Sequence, residues 1–246
     1  MTFYTNKEIR ETDKFGSSWW EHFFLKPFIY KLTFLFANYT QITPNQITMM
    51  SFIFGLLSAY SFLNGTLYYL IIGAFLFECS FILDYTDGRI ARLKGLNSIF
   101  GAYFDIISDF TKYFFIILCL AYGQYLLTND VSFLLYGYLF MFAELAFIAN
   151  TFIIRFHQPK FDMNKKNVHQ IRYDILKDKL PLIIKLKRKL DPENKLSYIP
   201  NDVDNLAFFI APIIMKIKLG FIFGSIILFV NILSLIIFNF VMKNKD

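Results

Sequence analysis

Residues 81–110 read FILDYTDGRIARLKGLNSIFGAYFDIISDF. Apolar sequence leads into this stretch from Leu67 and out of it to Leu127, so it is the joint between two hydrophobic segments. The joint carries four carboxylates, Asp84, Asp87, Asp105 and Asp109. Acidic residues within membrane-spanning segments are expensive to hold there and are candidates for function by default. Asp84 and Asp87 are three residues apart and Asp105 and Asp109 four, so each pair falls on one face of its helix. Two antiparallel spans joined at 89–94 bring the pairs opposite each other. Four carboxylates at such close quarters repel, and a divalent cation, or two, removes the conflict. All-oxygen ligands suit Mg²⁺ or Mn²⁺ and not a soft metal. Mg²⁺ commonly binds carboxylates together with substrate phosphates, which points to metal-assisted chemistry on a phosphate compound.

The neighbours of these acids fit that chemistry. Gly88 follows Asp87 and permits close backbone approach, and Gly101 sits one turn before Asp105, where a side chain would crowd the cleft. Arg89 and Arg92 supply positive charge for phosphate oxygens, and Ala91 is small enough for a tight nucleotide pocket.

The rest of the chain places this site in a bilayer. The 246 residues are 56% hydrophobic, above the 45–50% usual for soluble domains. That excludes a disordered chain and argues against an ordinary soluble enzyme. The net charge is +6, but the charges lie between long apolar runs, so a membrane accounts for them and nucleic acid is not expected as a partner. Cys79 and Cys119 lie inside apolar stretches and read as small buried hydrophobes. Residues 1–18 are polar, with no apolar region of the kind a secretory signal peptide needs.

About 20 apolar residues cross a bilayer. Spans are expected at 44–63, 67–83, 99–127 and 131–154, with 206–242 split into two short helices by a turn near 216–220. The segment at 19–39 is interrupted by Glu21, His22, Lys26 and Lys31 and reads as an interfacial amphipathic helix; a poor first span is the other reading. The expected fold is therefore an all-α integral membrane protein. Six transmembrane helices over 44–242 follow a cytoplasmic tail and interfacial helix over 1–43, and a basic cytoplasmic insertion occupies about 155–204. Lys and Arg cluster in the N-terminal tail, the 89–94 loop, 155–204 and the C-terminal tail, which puts both termini and the acids on the cytoplasmic side. Lys216 and Lys218 break that pattern. The cluster Lys185, Lys187, Arg188 and Lys189 reads as a surface against anionic lipid.

The spacing Asp84-x-x-Asp87-Gly88-x-x-Ala91-Arg92, then Gly101-x-x-x-Asp105-x-x-x-Asp109, resembles the signature of the CDP-alcohol phosphotransferases at all eight defining positions. Thr43-Pro44-Asn45-Gln46-Ile47-Thr48 resembles a further family element at the start of the first span. The resemblance implies transfer of a substituted phosphate from a CDP-linked alcohol, often CDP-diacylglycerol, to an acceptor alcohol, with release of CMP, as in phospholipid biosynthesis. It further implies that Asp84, Asp87, Asp105 and Asp109 hold two divalent metals and that Asp109 accepts the proton of the attacking hydroxyl. Asn45, Thr48, Gly88, Ala91, Arg92, Ser98 and Gly101 would line the CDP site, and members are often homodimers. Arg155 and His157 end the fourth span and are candidates for gripping a phosphorylated or acidic acceptor. The absence of a signal peptide and the cytoplasmic termini suit a prokaryotic plasma membrane.

Two other functions compete. A cation-coupled transporter would place its acids near the midplane within repeated halves, whereas these cluster at one face and no repeat is evident. A catalytically inactive member acting as an assembly partner would not need its aspartates intact.

Overall fold

The structure, a computed structural model, describes residues 3–13, 18–157 and 200–243, with the side chains of 151–157, 200–201, 234–235 and 237–243 outside that description. The described residues are helical, without strands. The elements are α1 (Asn6–Glu11), α2 (Lys26–Tyr39), α3 (Pro44–Leu63), α4 (Leu67–Leu93), α5 (Ile99–Thr128), α6 (Ser132–His157), α7 (Pro200–Asn205), α8 (Ala211–Ile213) and α9 (Ile217–Lys243). A wide π-helical turn, Glu21–Leu25, leads into α2 where Pro27 starts the helix proper, and a second, Leu206–Ile210, joins α7 to α8.

Local sequence chemistry sets the helix starts. Thr43 caps α3: its hydroxyl accepts from the Gln46 amide at 3.4 Å, and the Gln46 side chain accepts from the Thr43 amide at 2.9 Å. Pro44 takes the first turn, where its missing N–H costs nothing. Ser98 caps α5 by accepting from the Gly101 amide at 2.9 Å. At the other end of α5, Asn129 adopts left-handed backbone at φ 56° and turns the chain into α6.

Large rings such as Phe62, Phe77, Phe81 and Phe140 fill the interior, but one helix contact and the outer surface are inverted relative to a soluble protein. The α3–α4 contact is made by small and polar residues: Ser58 donates to the Gly73 carbonyl at 2.7 Å, and Ser51 and Ser80 each donate to the other's carbonyl at 2.9 and 2.8 Å. Large apolar side chains such as Ile53, Leu57, Tyr60, Phe75, Phe142 and Leu145 face outward. Small residues between helices and large apolar ones outside are what a bilayer selects, since lipid solvates the outer face and close approach holds the helices together. Among the described residues, three helices are long and apolar enough to cross a membrane: Pro44–Leu63, Leu67–Leu93 and Ser132–Asn150. The same inversion corrects the reading of the cysteines. Cys79 is exposed and Cys119 half-buried, because an apolar helix in lipid has an outer face as apolar as its inner one.

The second apolar segment runs on past residue 83, as the placement of Asp84 and Asp87 on one helix face requires: α4 continues unbroken for 27 residues, roughly 40 Å, and carries the acidic motif on its last turns. The break in the final apolar run falls at 214–216, slightly before the expected turn, with Met215 in left-handed backbone. Lys218 just beyond it pairs with Asp130 in the α5–α6 turn, so the lysine that breaks the charge pattern has a local counter-ion. Hydrogen bonds from Lys218 and Ser132 hold the Asp130 carboxyl down to about 2.

The N-terminal arm is docked by charge. Asp13 accepts from Arg89 Nη2 at 2.9 Å and Lys26 Nζ lies 3.0 Å from it, while Tyr30 donates its hydroxyl to the same carboxylate. Arg89 also reaches Glu21 at 2.7 Å, and Ile9 of α1 is buried. Burial pushes the Asp13 carboxyl up, but the Tyr30 hydrogen bond and the Arg89 and Lys26 charges outweigh it and leave it below its ordinary value. A carboxyl depressed by folding contributes stability that is complete above its unfolded pKa, about 3.9, and is lost as pH falls through its folded one. Protection of the α1 amides, taken relative to the intrinsic exchange rate at each pH, should therefore fall as pH drops below about 4. Asp13→Asn should show the lower protection already at neutral pH, with a loss of about 1–3 kcal/mol in local stability.

Candidate active site

The acids of α4 and α5 meet because the two helices run antiparallel out of a short turn at 94–98. Carboxylate oxygens of Asp84, Asp105 and Asp109 all lie within 4.8 Å of one another, and all three residues are half-buried. Hard oxygen donors converging at this spacing fit a divalent cation. Asp87 stands outside this group of three. Three residues advance a helix by about 300°, so Asp87 is turned some 60° from Asp84. It faces α3 and accepts from the Thr48 hydroxyl at 2.5 Å. Asp87 still lies close enough to feel the charges of Asp84 and Asp105.

A cation of the chain's own lies against two members of the group. Lys112, only 2% exposed, places its ammonium 2.9 Å from Asp84 Oδ1 and 2.7 Å from Asp109 Oδ1, and donates to the Ser51 hydroxyl at 3.1 Å. Gly55 makes room for it: a Cβ there would sit 3.0 Å from Lys112 Cβ and 3.2 Å from its Cδ. In the sequence Lys112 is the one basic residue within the apolar 99–127 stretch. Its position three residues after Asp109, on the same face, is the signal that assigns it to the cluster.

The expected nucleotide-side residues converge at two helix starts. A Cβ at Gly101 would lie 3.0 Å from both Asn45 Oδ1 and Ser98 Oγ, so the first turns of α3 and α5 are held side by side and the glycine keeps the space between them open. Helix N-termini present free N–H groups and a positive dipole end, a natural environment for phosphate. Arg92 anchors its Nε on the Thr12 carbonyl at 2.9 Å and lays its Nη groups over Gly88, where a Cβ would meet Nη1 at 3.2 Å. Ala91 is half-buried on the same last turns of α4. Arg89, expected beside it as a phosphate ligand, is instead committed to Asp13 and Glu21. One turn of α4 thus assigns its two arginines different partners.

Beyond the carboxylates lies a cavity of about 340 Å³ between α5 and α6, lined by Asp84, Asp109, Tyr113, Glu144, Asp204 and apolar side chains. Glu144 therefore faces this cavity, whereas Glu78, the other acid buried within a span, accepts from Trp20 Nε1 at 3.0 Å. The side chains of Arg155 and His157, and the basic cluster Lys185, Lys187, Arg188 and Lys189 with the rest of 158–199, lie outside the described residues.

Comparison with known proteins agrees with this geometry. The CDP-alcohol phosphatidyltransferase family model matches residues 41–187, more than half of the chain. A bifunctional IPC transferase and DIPP synthase from Thermococcus kodakarensis is 39% identical over 69 residues. That match takes in 28% of this chain and 15% of the relative, so the chain spans a small part of the curated protein it resembles.

Removing Lys112 leaves the half-buried carboxylates of Asp84 and Asp109 without their counter-ion, a change whose cost approaches the roughly 3–5 kcal/mol of a fully buried pair where no other cation replaces it. Lys112→Met should lower the thermal midpoint of detergent-solubilised protein strongly in EDTA. Millimolar Mg²⁺ should restore most of the loss, and should stabilise the variant more than the parent.

Proposed function

The chain belongs to the CDP-alcohol phosphatidyltransferase family, and from that premise we propose that it transfers a substituted phosphate from a CDP-alcohol to an acceptor alcohol and releases CMP. The observation that carries this reading is the convergence of Asp84, Asp105 and Asp109 beside two open helix starts. CDP-diacylglycerol is the donor we favour, because a bilayer-embedded site receives a lipid-linked donor directly. The layout proposed is six spans with an interfacial helix ahead of them, in a prokaryotic plasma membrane, with the site at the cytoplasmic face and two copies of the chain as a homodimer. The catalytic domain is 44–242, following the 1–43 tail, and the basic 155–204 segment lies against anionic lipid.

Asp84, Asp105 and Asp109, with Asp87 behind them, would hold one or two divalent cations, Mg²⁺ or Mn²⁺. Bound there, the metal supplies positive charge to the oxygens of the reacting pyrophosphate. The chain's own groups do the rest. Asn45, Ser98 and the α3 and α5 N-termini receive the cytidine phosphates, with Arg92 alongside, and Gly88, Ala91 and Gly101 leave room for the nucleotide. Thr48 holds the Asp87 carboxylate by its hydroxyl. Asp109 faces both the metal group and the cavity, so it can take the proton of an acceptor hydroxyl entering from the cavity. The acceptor oxygen bonds to the phosphorus that carries the donor alcohol, the bond from that phosphorus to the CMP oxygen breaks, and CMP leaves with the electron pair.

Purified protein given CDP-diacylglycerol, Mg²⁺ and pooled polar metabolites should release CMP. EDTA should stop the release, and Asp105→Asn or Asp109→Asn should lower it by at least 10³-fold. Absence of CMP release with lipid-linked and water-soluble CDP-alcohols alike would overturn the transferase. Gly101→Val should fill the gap between Asn45 and Ser98 and weaken CMP binding at least tenfold, about 1.4 kcal/mol, readable by calorimetry independently of turnover.

A further inference from the structure

The last turns of α4 are gripped by the N-terminal arm, residues 3–13, which carries none of the reacting groups. The arm is docked at both ends. Tyr4 packs on the buried cluster of Ala37, Ile47, Leu83 and Ile90, and its backbone pairs with the Asn38 side chain. Ile9 of α1 is 1% exposed, in a helix that packs on α2 and α4. Asp13 accepts from two nitrogens of Arg89, Nη2 at 2.9 Å and Nε at 3.3 Å. The arm therefore touches the first turn of α3, through Ile47, and the last turns of α4, two of the elements that build the nucleotide side of the site.

Between these anchors the Thr12 carbonyl accepts from Arg92 Nε at 2.9 Å. Thr12 ends α1, where carbonyls have no partner within the helix, and is itself fixed: its hydroxyl and its amide both donate to the Ile9 carbonyl, at 2.6 and 3.2 Å. With Nε held, both Nη groups lie over Gly88, 3.2 and 3.8 Å from where a Cβ would stand. A free arginine side chain is rich in rotamers, and ordering it on binding costs affinity. Holding it in place beforehand removes that cost.

We propose that the N-terminal arm is a positioning element for the donor: docked through Ile9 and Asp13, it holds Arg92 by the Thr12 carbonyl in the pose that meets a nucleotide's diphosphate. The proposal rests on the donor site of the transferase reading and adds the arm to it. Charge alone argues for the opposite effect. Asp13 is an acid whose charge is felt at Arg92, and it also neutralises Arg89. Through electrostatics alone its removal would favour an anion. A loss of nucleotide affinity without Asp13 is therefore the mark of positioning.

The test is calorimetric binding of CDP and CMP to the full chain in detergent with Mg²⁺, which needs no turnover. Asp13→Asn and the uncharged change Ile9→Ser should each weaken CDP roughly fivefold or more. Arg92→Ala should weaken it at least as much, and adding either arm variant to Arg92→Ala should change affinity by less than about twofold. That double-mutant comparison separates positioning from support of the fold, which would lower affinity with or without the arginine. Coupling is reciprocal, so CDP should slow amide exchange across α1, and Arg92→Ala should abolish the slowing. CDP binding unchanged or tightened in both arm variants, or losses that add to that of Arg92→Ala, overturns the proposal. Arm-dependent CDP binding without CMP release from any CDP-alcohol keeps the arm's role while the transferase falls. A parent protein that binds neither CDP nor CMP overturns both.

Discussion

The buried ammonium of Lys112 constrains the rest of the structure. A charge this deep persists only when it is paired and its remaining protons are satisfied. Lys112 meets that condition with one group from each of three helices: Ser51 of α3, Asp84 of α4 and Asp109, a turn back on its own α5. Its stem can reach them only because Gly55, four residues after Ser51 on the same face of α3, carries no side chain. Sliding any of the three helices by one residue would rotate its partner away by about 100° and strand the charge. The registers of α3, α4 and α5 are thereby tied together. The convergence of Asp84, Asp105 and Asp109, and the Thr48–Asp87 contact a turn away, follow from the same registers.

The N-terminal arm completes one wall of the site. Arg89 and Arg92 lie on neighbouring faces of the last turns of α4, and the arm engages both. Asp13 and Glu21 neutralise Arg89, whereas Thr12 offers Arg92 only a carbonyl, which orients the guanidinium without cancelling its charge. Arg92 can then serve an anion while Arg89 cannot. The arm also closes against α2 through Asn38, whose side chain pairs with both the amide and the carbonyl of Tyr4 at 2.7 and 3.1 Å.

Much of this was legible in the sequence. The 44–63 span coincides with α3 because its signals are local: a Thr-Pro-x-Gln cap at one end and Asn64-Gly65 at the other. The opposition of Asp84 to Asp105 and Asp109 follows from helical spacing and a short connection. Less legible was anything decided by tertiary contact. Arg89 and Arg92 are equivalent by sequence, and only the arm, 76 residues from Arg89 along the chain at Asp13, distinguishes them. The exposure of Cys79 could not be read from hydropathy, which is the same on both faces of a helix in lipid. Asp204 escaped notice because it lies next to a basic segment and looks like a surface acid, although its burial against Glu144 and Tyr113 joins it to the cavity.

The site is polarised along one direction, and that orders the substrates. At one end are the N-termini of α3 and α5 with Arg92, a region of positive potential suited to a nucleotide's phosphates. At the other is the cavity between α5 and α6, where the buried carboxyls of Glu144 and Asp204 pair with each other. Asp109 stands between, in the ion pair with Lys112 and on the cavity wall at once. In the proposed reaction, a donor held by the helix ends and Arg92 leaves the cavity side of Asp109 to the acceptor hydroxyl, with CMP leaving on the opposite side. Electrostatic arrangement of this kind specifies which group meets which more strongly than it raises affinity. In the proposed reaction Asp109, as proton acceptor, sits where the two ligands meet.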